Sequence, residues 1–322
     1  MASEGAPVVK DSSGVAQPPP MATIEVTKVS KWFGSKVAVS ELSFALGPGV
    51  TTLLGLNGAG KTTTLKMLTG QLRPSRGQVR VLGQRVFDNP PLYRRIGLVS
   101  EQDGLYGFLT AHEFVELAAR LHRLPNPREA AREALRTVEL LEAADRKVGG
   151  FSKGMRQRVK LAQALVHDPE VLFFDEPLTG IDPRLRLTLM DLFTLLGSSG
   201  KTVLISSHIL SEAERMGSNV LVIVEGKLAA QGDFHALREL MDDRPRRVRL
   251  ICTDPRAVAA RLVKFSGTRG VHIDADELVV ETGDALQLYY TVPGVAQETG
   301  VSLHGIESLD EDLESVFRYL VS

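Results

Sequence analysis

The sequence predicts an α/β fold on a mostly parallel sheet, with antiparallel strands ahead of it, a helical insertion within it and a small α+β domain after it. Three observations lead there. Val50 to Leu54 is a continuous apolar and β-branched run that passes through a glycine-rich turn into a helically spaced segment, Lys61 to Leu68, stopping at Gly70. Val171 to Phe174 and Thr202 to Ser206 are further buried-strand runs, separated by the helix-like Pro183 to Leu196, which is the alternation of a parallel sheet. Near residues 242–247 the composition turns charged and includes Pro245, which reads as a linker.

In chain order, Met1 to Pro20 holds Gly, Ser, Ala and a Pro18 to Pro20 run, with no basic start leading into an apolar core. It reads as a disordered tail over residues 1–21 rather than a secretory signal, and Met21 is an alternative start. Thr23 to Val29 and Glu41 to Leu46 alternate about Gly34 and predict antiparallel strands. Arg73 to Gly77 is a turn leading into a short strand, Gln78 to Leu82. Ala111 to Leu141 has helical spacing, with Phe114, Leu117, Ala118 and Leu121 on one face and a break at Leu124 to Pro127, so a helical subdomain is expected over residues 104–167.

The first domain is expected over residues 22–241 and the second over 248–322. In the second, strand-like Val248 to Cys252, helix-like Arg256 to Phe265, a strand pair within Val271 to Glu281, a helix from Asp284, a strand at Val301 to Ile306 and a last amphipathic helix give βαββαβα, which resembles a ferredoxin-like sandwich. That last segment spaces Leu309, Leu313, Val316, Phe317, Leu320 and Val321 along one face.

Composition narrows the function classes. Lys and Arg number 38 against 39 Asp and Glu in 322 residues, so there is no basic excess to favour nucleic acid. A single cysteine, Cys252, excludes an intrachain disulfide and a cysteine-rich metal site. No run approaches the roughly 18 apolar residues of a membrane span.

The chemistry is carried by short motifs. Gly55-Leu56-Asn57-Gly58-Ala59-Gly60-Lys61-Thr62, followed by Thr63, has the spacing of a phosphate-binding loop between a strand and a helix. Its glycines let backbone N–H groups wrap an anion, the helix start adds its dipole, Lys61 reaches the β and γ phosphates, and the Thr62 hydroxyl ligates Mg²⁺. Val171 to Phe174 ends in Asp175 and Glu176, placed to hold Mg²⁺ and to polarise a water as general base, respectively.

Between them lies Phe151-Ser152-Lys153-Gly154-Met155-Arg156-Gln157-Arg158. With this order of motifs the chain resembles an ABC-type ATPase, a P-loop NTPase, from Thr23 to about Leu240. The resemblance makes Gln102 the strand-end glutamine, a further catalytic and Mg²⁺-contacting residue, Ser152 to Met155 the signature, Thr179 to Asp182 the D-loop, and His208 the switch histidine. It expects an aromatic to stack on adenine, matched by Phe33 rather than Trp32. It implies that Ser152, Lys153, Gly154 and Met155 contact the γ phosphate of ATP held by a second copy, so that a homodimer sandwiches the nucleotide. Phe151 stands where the commonest signature has leucine, and Lys153 where it has the first of two glycines. The lysine form is similar to the branch that partners ABC-2-like membrane permeases in export, at the cytoplasmic membrane face. Taken singly, Ser152 is also an ordinary helix cap, Gln102 a solvated loop residue and His208 a strand-end histidine. A soluble ATPase of the same type acting on ribosomes or DNA is the alternative. A metabolic kinase would leave Ser152 to Met155 and His208 without a task.

Overall fold

The computed structural model describes residues 22–233, 245–274 and 277–309. The proposed tail and most of the last amphipathic helix lie outside the described residues. The chain divides into two compact units, Met1–Phe234 and His235–Ser322.

In the first unit, β1 (Ile24–Phe33) and β2 (Lys36–Leu46) form a hairpin about Gly34, whose φ of 58° lies in the left-handed region open to glycine. With β4 (Arg76–Val81) and β5 (Gln84–Arg85) they make an antiparallel sheet of order β2-β1-β4-β5. The central sheet has order β10-β9-β3-β8-β7-β6 and is parallel except at its β10 edge. Its strands are β3 (Gly49–Leu54), β6 (Ile96–Val99), β7 (Val171–Asp175), β8 (Thr202–Ser207), β9 (Asn219–Val224) and β10 (Lys227–Asp233).

Both faces of this sheet are covered, which explains runs that do not alternate. Along β7, Val171 and Phe173 join the core shared with the antiparallel sheet and α1 (Lys61–Leu68), while Leu172 and Phe174 join the core beneath the helical insertion. Phe174 also packs on Phe193 of α6 (Pro183–Ser198), with ring centroids 4.8 Å apart.

The short α2 (Pro90–Tyr93) precedes β6. The insertion holds α3 (Ala111–Leu121), α4 (Pro127–Thr137) and α5 (Lys153–Leu165). A capping box of Thr110 and Glu113 starts α3, and Pro127 in the first turn starts α4, the break read from the sequence. The buried stripe of α3 is Ala111, Phe114, Val115, Ala118 and Ala119, and not the expected face through Leu117 and Leu121, which are exposed. The stripe is rotated toward small residues because α3 packs closely on both α4 and α5. Strand β6 escapes pattern reading because it is four residues long and contains Gly97. That glycine is required by contact, since a Cβ there would lie 2.5 Å from the Ala164 carbonyl oxygen of α5. After β8, α7 (Leu210–Arg215) leads back to β9.

The second unit runs β11 (Arg246–Cys252), α8 (Pro255–Leu262), β12 (Thr268–Asp274), β13 (Glu277–Thr282), α9 (Ala285–Thr299) and β14 (Leu303–Ser308). Its sheet is antiparallel throughout with order β12-β13-β11-β14, a split βαβ arrangement. Asp254 and Asp284 cap the two helices, and Val248, Leu250, Leu278 and Val280 bury one sheet face against Val258, Leu262, Leu288 and Val292.

Candidate active site

The parallel register fixes where the polar groups meet. Leu54 pairs with Ser207 and Asp175 with Ser206, so the carboxyl ends of β3, β7 and β8 finish side by side at one edge. The loop from Gly55 to Gly60 leaves β3 there and turns into α1. Gly55 has no space for a side chain, since a Cβ would lie 2.8 Å from the Ile223 carbonyl oxygen. Gly60 occupies the cap of α1 at φ 107°, with no side-chain cap and no acid in the first turn, so the helix start is left to an external anion.

Lys61 is only 6% exposed and donates to the carbonyls of Gly55 at 2.7 Å and Leu56 at 3.3 Å. Its Nζ faces Glu176 Oε1 at 3.2 Å. The Thr62 hydroxyl donates to Asp175 Oδ1 at 3.2 Å, and Ser206 donates to the same oxygen at 2.7 Å while accepting from the Glu176 N–H at 2.8 Å. Glu176 has φ 48°, a conformation that costs a non-glycine residue about 1–3 kcal/mol and collects at functional sites. Its Oε2 is 2.9 Å from His208 Nδ1 and accepts from the Thr179 hydroxyl at 2.9 Å, whereas Oε1 is buried without a hydrogen bond. Phosphate loop, acid pair and histidine are thus one connected cluster. Thr62 and Asp175 together present hard oxygen donors, a pair that suits Mg²⁺, which keeps several waters and takes few protein ligands.

The other sequence-marked residues stand apart from this cluster. Ser152 caps α5 by accepting from the Met155 N–H at 3.3 Å, and Asp182 caps α6 through the Leu185 N–H at 2.9 Å. The two helix starts interlock: a Cβ on Gly154 would come within 2.6 Å of Leu185 Cδ2, and one on Gly180 would collide with Lys153 Nζ. Ser152 and Lys153 are exposed, as is Gln102, whose side chain makes no hydrogen bond to Thr62 or Asp175. Phe33 is 51% exposed at the end of β1, with Lys31 Nζ 5.2 Å above its ring.

Residues 39–179 match the ABC transporter family. The Nod factor export ATP-binding protein I of Burkholderia lata is 41% identical over 230 residues, covering 68% of this chain and 74% of that protein. The bacitracin transport ATP-binding protein BcrA of Bacillus licheniformis is 39% identical over 222 residues, 67% and 71% of the two chains. An uncharacterised ABC transporter ATP-binding protein of Nostoc is 40% identical over 219 residues, spanning 66% of this chain and 65% of that one. The chain belongs to the ABC transporter ATP-binding proteins.

Solved cassettes agree: the ATP-binding subunit of an ABC transporter superposes with a TM-score of 0.62 at 30% identity, over 68% of this chain and 93% of that one. A dimeric cassette in a post-hydrolysis state with ADP and Pi gives 0.60 at 26%, over 66% and 98%. The cassette is an ATPase of the drug-exporter-like branch, and the ribosome- or DNA-directed alternative falls away.

Several residues that shape the cassette site carry no signal of their own in the sequence. Ser206 becomes visible only through its register with Asp175. Glu212 of α7, 5% exposed, accepts from Ser207 at 2.5 Å and lies 3.8 Å from Arg186; burial raises its pKa above the ordinary carboxylate value. The segment around Gln102 is tied to α5 by Asp103 with Arg156 at 2.6 Å and by Lys160, which donates to the Ser100 carbonyl at 2.8 Å. No helix among the described residues is long and apolar enough to cross a membrane.

Proposed function

We propose that this chain energises export through a separate ABC-2-like integral membrane permease, as two copies that close on two Mg²⁺·ATP at the cytoplasmic face of the membrane. The carrying observation is the split between a connected cluster around Lys61, Asp175, Glu176 and His208 and a signature turn whose Ser152 and Lys153 are exposed and make no hydrogen bond to those four residues. In this reading the backbone from Gly55 to Thr63 cradles the phosphates, Phe33 stacks on adenine, and Thr62 and Asp175 hold Mg²⁺ with Gln102 joining them on closure. Glu176 orients the attacking water, His208 contacts the γ phosphate, and Ser152, Lys153, Gly154, Met155 and Asp182 meet the nucleotide of the partner copy. The bacitracin and Nod factor relatives support the direction, and the dimeric post-hydrolysis cassette supports the pairing. The units 22–241 and 248–322 are proposed as engine and accessory domain.

Glu176→Gln should bind ATP, stall hydrolysis and collect as an ATP-dependent dimer in size-exclusion chromatography with light scattering. The wild-type chain should co-purify from membranes with a multi-span protein. A chain that stays monomeric with ATP, hydrolyses at full rate and is recovered without a membrane partner refutes the proposal.

A further inference from the structure

We infer that Thr179 is a positioning residue for Glu176, fixing one carboxylate oxygen so that the other is left to the attacking water. The inference rests on the reading of Glu176 as the group that orients that water. The two oxygens have different surroundings. Oε2 accepts from the Thr179 hydroxyl at 2.9 Å and lies 2.9 Å from His208 Nδ1. Oε1 is buried, accepts no aligned hydrogen bond and is ion-paired with the Lys61 ammonium at 3.2 Å, on the side of the phosphate loop. A carboxylate whose last torsion is broad and roughly two-fold needs such an anchor to present one oxygen repeatedly in one direction.

Of the two anchors, Thr179 is the fixed one. It closes a tight turn on Glu176, its N–H donating to the Glu176 carbonyl at 3.3 Å. Inside that turn Pro177 locks one backbone torsion, and Leu178, 2% exposed, is pinned in the core beneath the helical insertion. On the far side Gly180, at φ 71°, is covered by the Lys153 side chain, so the turn is braced from the signature as well. His208 follows the end of β8 with 38% of its side chain exposed, and its ring has two nitrogens and a choice of tautomer. The hydroxyl has a single task here: the same carboxylate is the only acceptor it reaches among the described residues.

Removing the hydroxyl should therefore disturb orientation rather than binding. In the full-length chain, Thr179→Ala and Thr179→Val should lower kcat roughly ten-fold or more with KM for ATP changed less than about two-fold, as expected for one charge-assisted hydrogen bond that orients a catalytic group. Thr179→Ser should recover most of the rate, because it keeps the donor. In single-turnover hydrolysis, Thr179→Ala added to Glu176→Gln should cost nothing beyond Glu176→Gln alone, and ATP-dependent dimerisation of that double variant should persist. Thermal midpoints of all variants monitor folding. Wild-type kcat in Thr179→Ala beside an inactive Glu176→Gln overturns the inference and leaves the reading of Glu176 standing, as does failure of Thr179→Ser to rescue. A fully active Glu176→Gln overturns that reading itself.

Discussion

The phosphate loop and the signature turn are both helix starts at glycine-containing motifs, yet they are built in opposite ways. The loop is a closed arrangement: Lys61 and Asp175 are 6% and 4% exposed, and each bonds to a group on another element of the same chain. At the signature, Ser152 and Lys153 are exposed, and the first four residues of α5 include Lys153 and Arg156 but no acid, Arg156 pairing instead with Asp103 of the segment after β6. Cations at a helix N-terminus oppose the macrodipole, a cost that an anion docking from outside would reverse. The difference teaches that one half of the site is finished within the chain, whereas the signature is built as an exposed helix start, which the proposed function assigns to the nucleotide of a partner copy.

The largest effect should come from the finished half. Lys61→Ala should reduce ATPase activity by about a hundred-fold or more, the scale of removing a preorganised charge from a reacting phosphate. If Ser152→Arg produces a comparable loss while retaining one nucleotide bound per chain, the comparison sharpens; if it abolishes binding to the isolated chain, the signature is serving its own phosphate loop.

A smaller effect lies behind the histidine. Glu212→Ala leaves the Ser207 hydroxyl and Arg186 facing an empty space and should cost about 2 kcal/mol in urea unfolding. Burial raises the Glu212 pKa, so its ionisation works against folding as pH rises above the ordinary carboxylate range. Glu212→Gln, which keeps a hydrogen-bond partner for Ser207 without the charge, should therefore match or exceed the wild type at neutral pH.

Acid should loosen the attachment of the helical insertion. His122 and His167 stack with centroids 3.6 Å apart, and burial, then the neighbouring His122, lowers the His167 pKa from 6.5 to about 4. Because the folded pKa lies below the unfolded one, the unfolded chain takes up the proton first. Stability should be complete above about pH 6.5 and decline as pH falls toward about 4, and His167→Gln should flatten that decline in thermal melts even if it lowers the neutral-pH midpoint. The smallest effect belongs to the half-exposed Phe33: Phe33→Ala should weaken nucleotide binding by about 1 kcal/mol in calorimetry, the low end for an aromatic stacked on a base, whereas Trp32→Ala should leave it nearly unchanged.

Much of this was legible in the linear sequence, for a physical reason. Helix α1 begins at Lys61 and ends at Leu68 as read, because both ends are written locally by glycines and spacing. The runs at β7 and β8 were recognisable because burial on both faces leaves no polar position within the apolar stretch. What stayed hidden depends on the partner of a residue rather than its neighbours. Ser206 is anonymous until register sets it beside Asp175, and Gly97 until α5 crosses behind it, while Thr179, marked in the sequence only as the start of the D-loop, shows its bond to Glu176 once the turn folds. The outward turn of Leu117 and Leu121 likewise follows from which helices flank α3.

The claim that the active site is shared between two chains can be tested by mixing. Lys61→Ala and Ser152→Arg chains, each inactive alone, should regain ATPase activity when combined, since their mixed dimer pairs one intact phosphate loop with one intact signature. A mixture no more active than the two separate preparations would contradict a shared site.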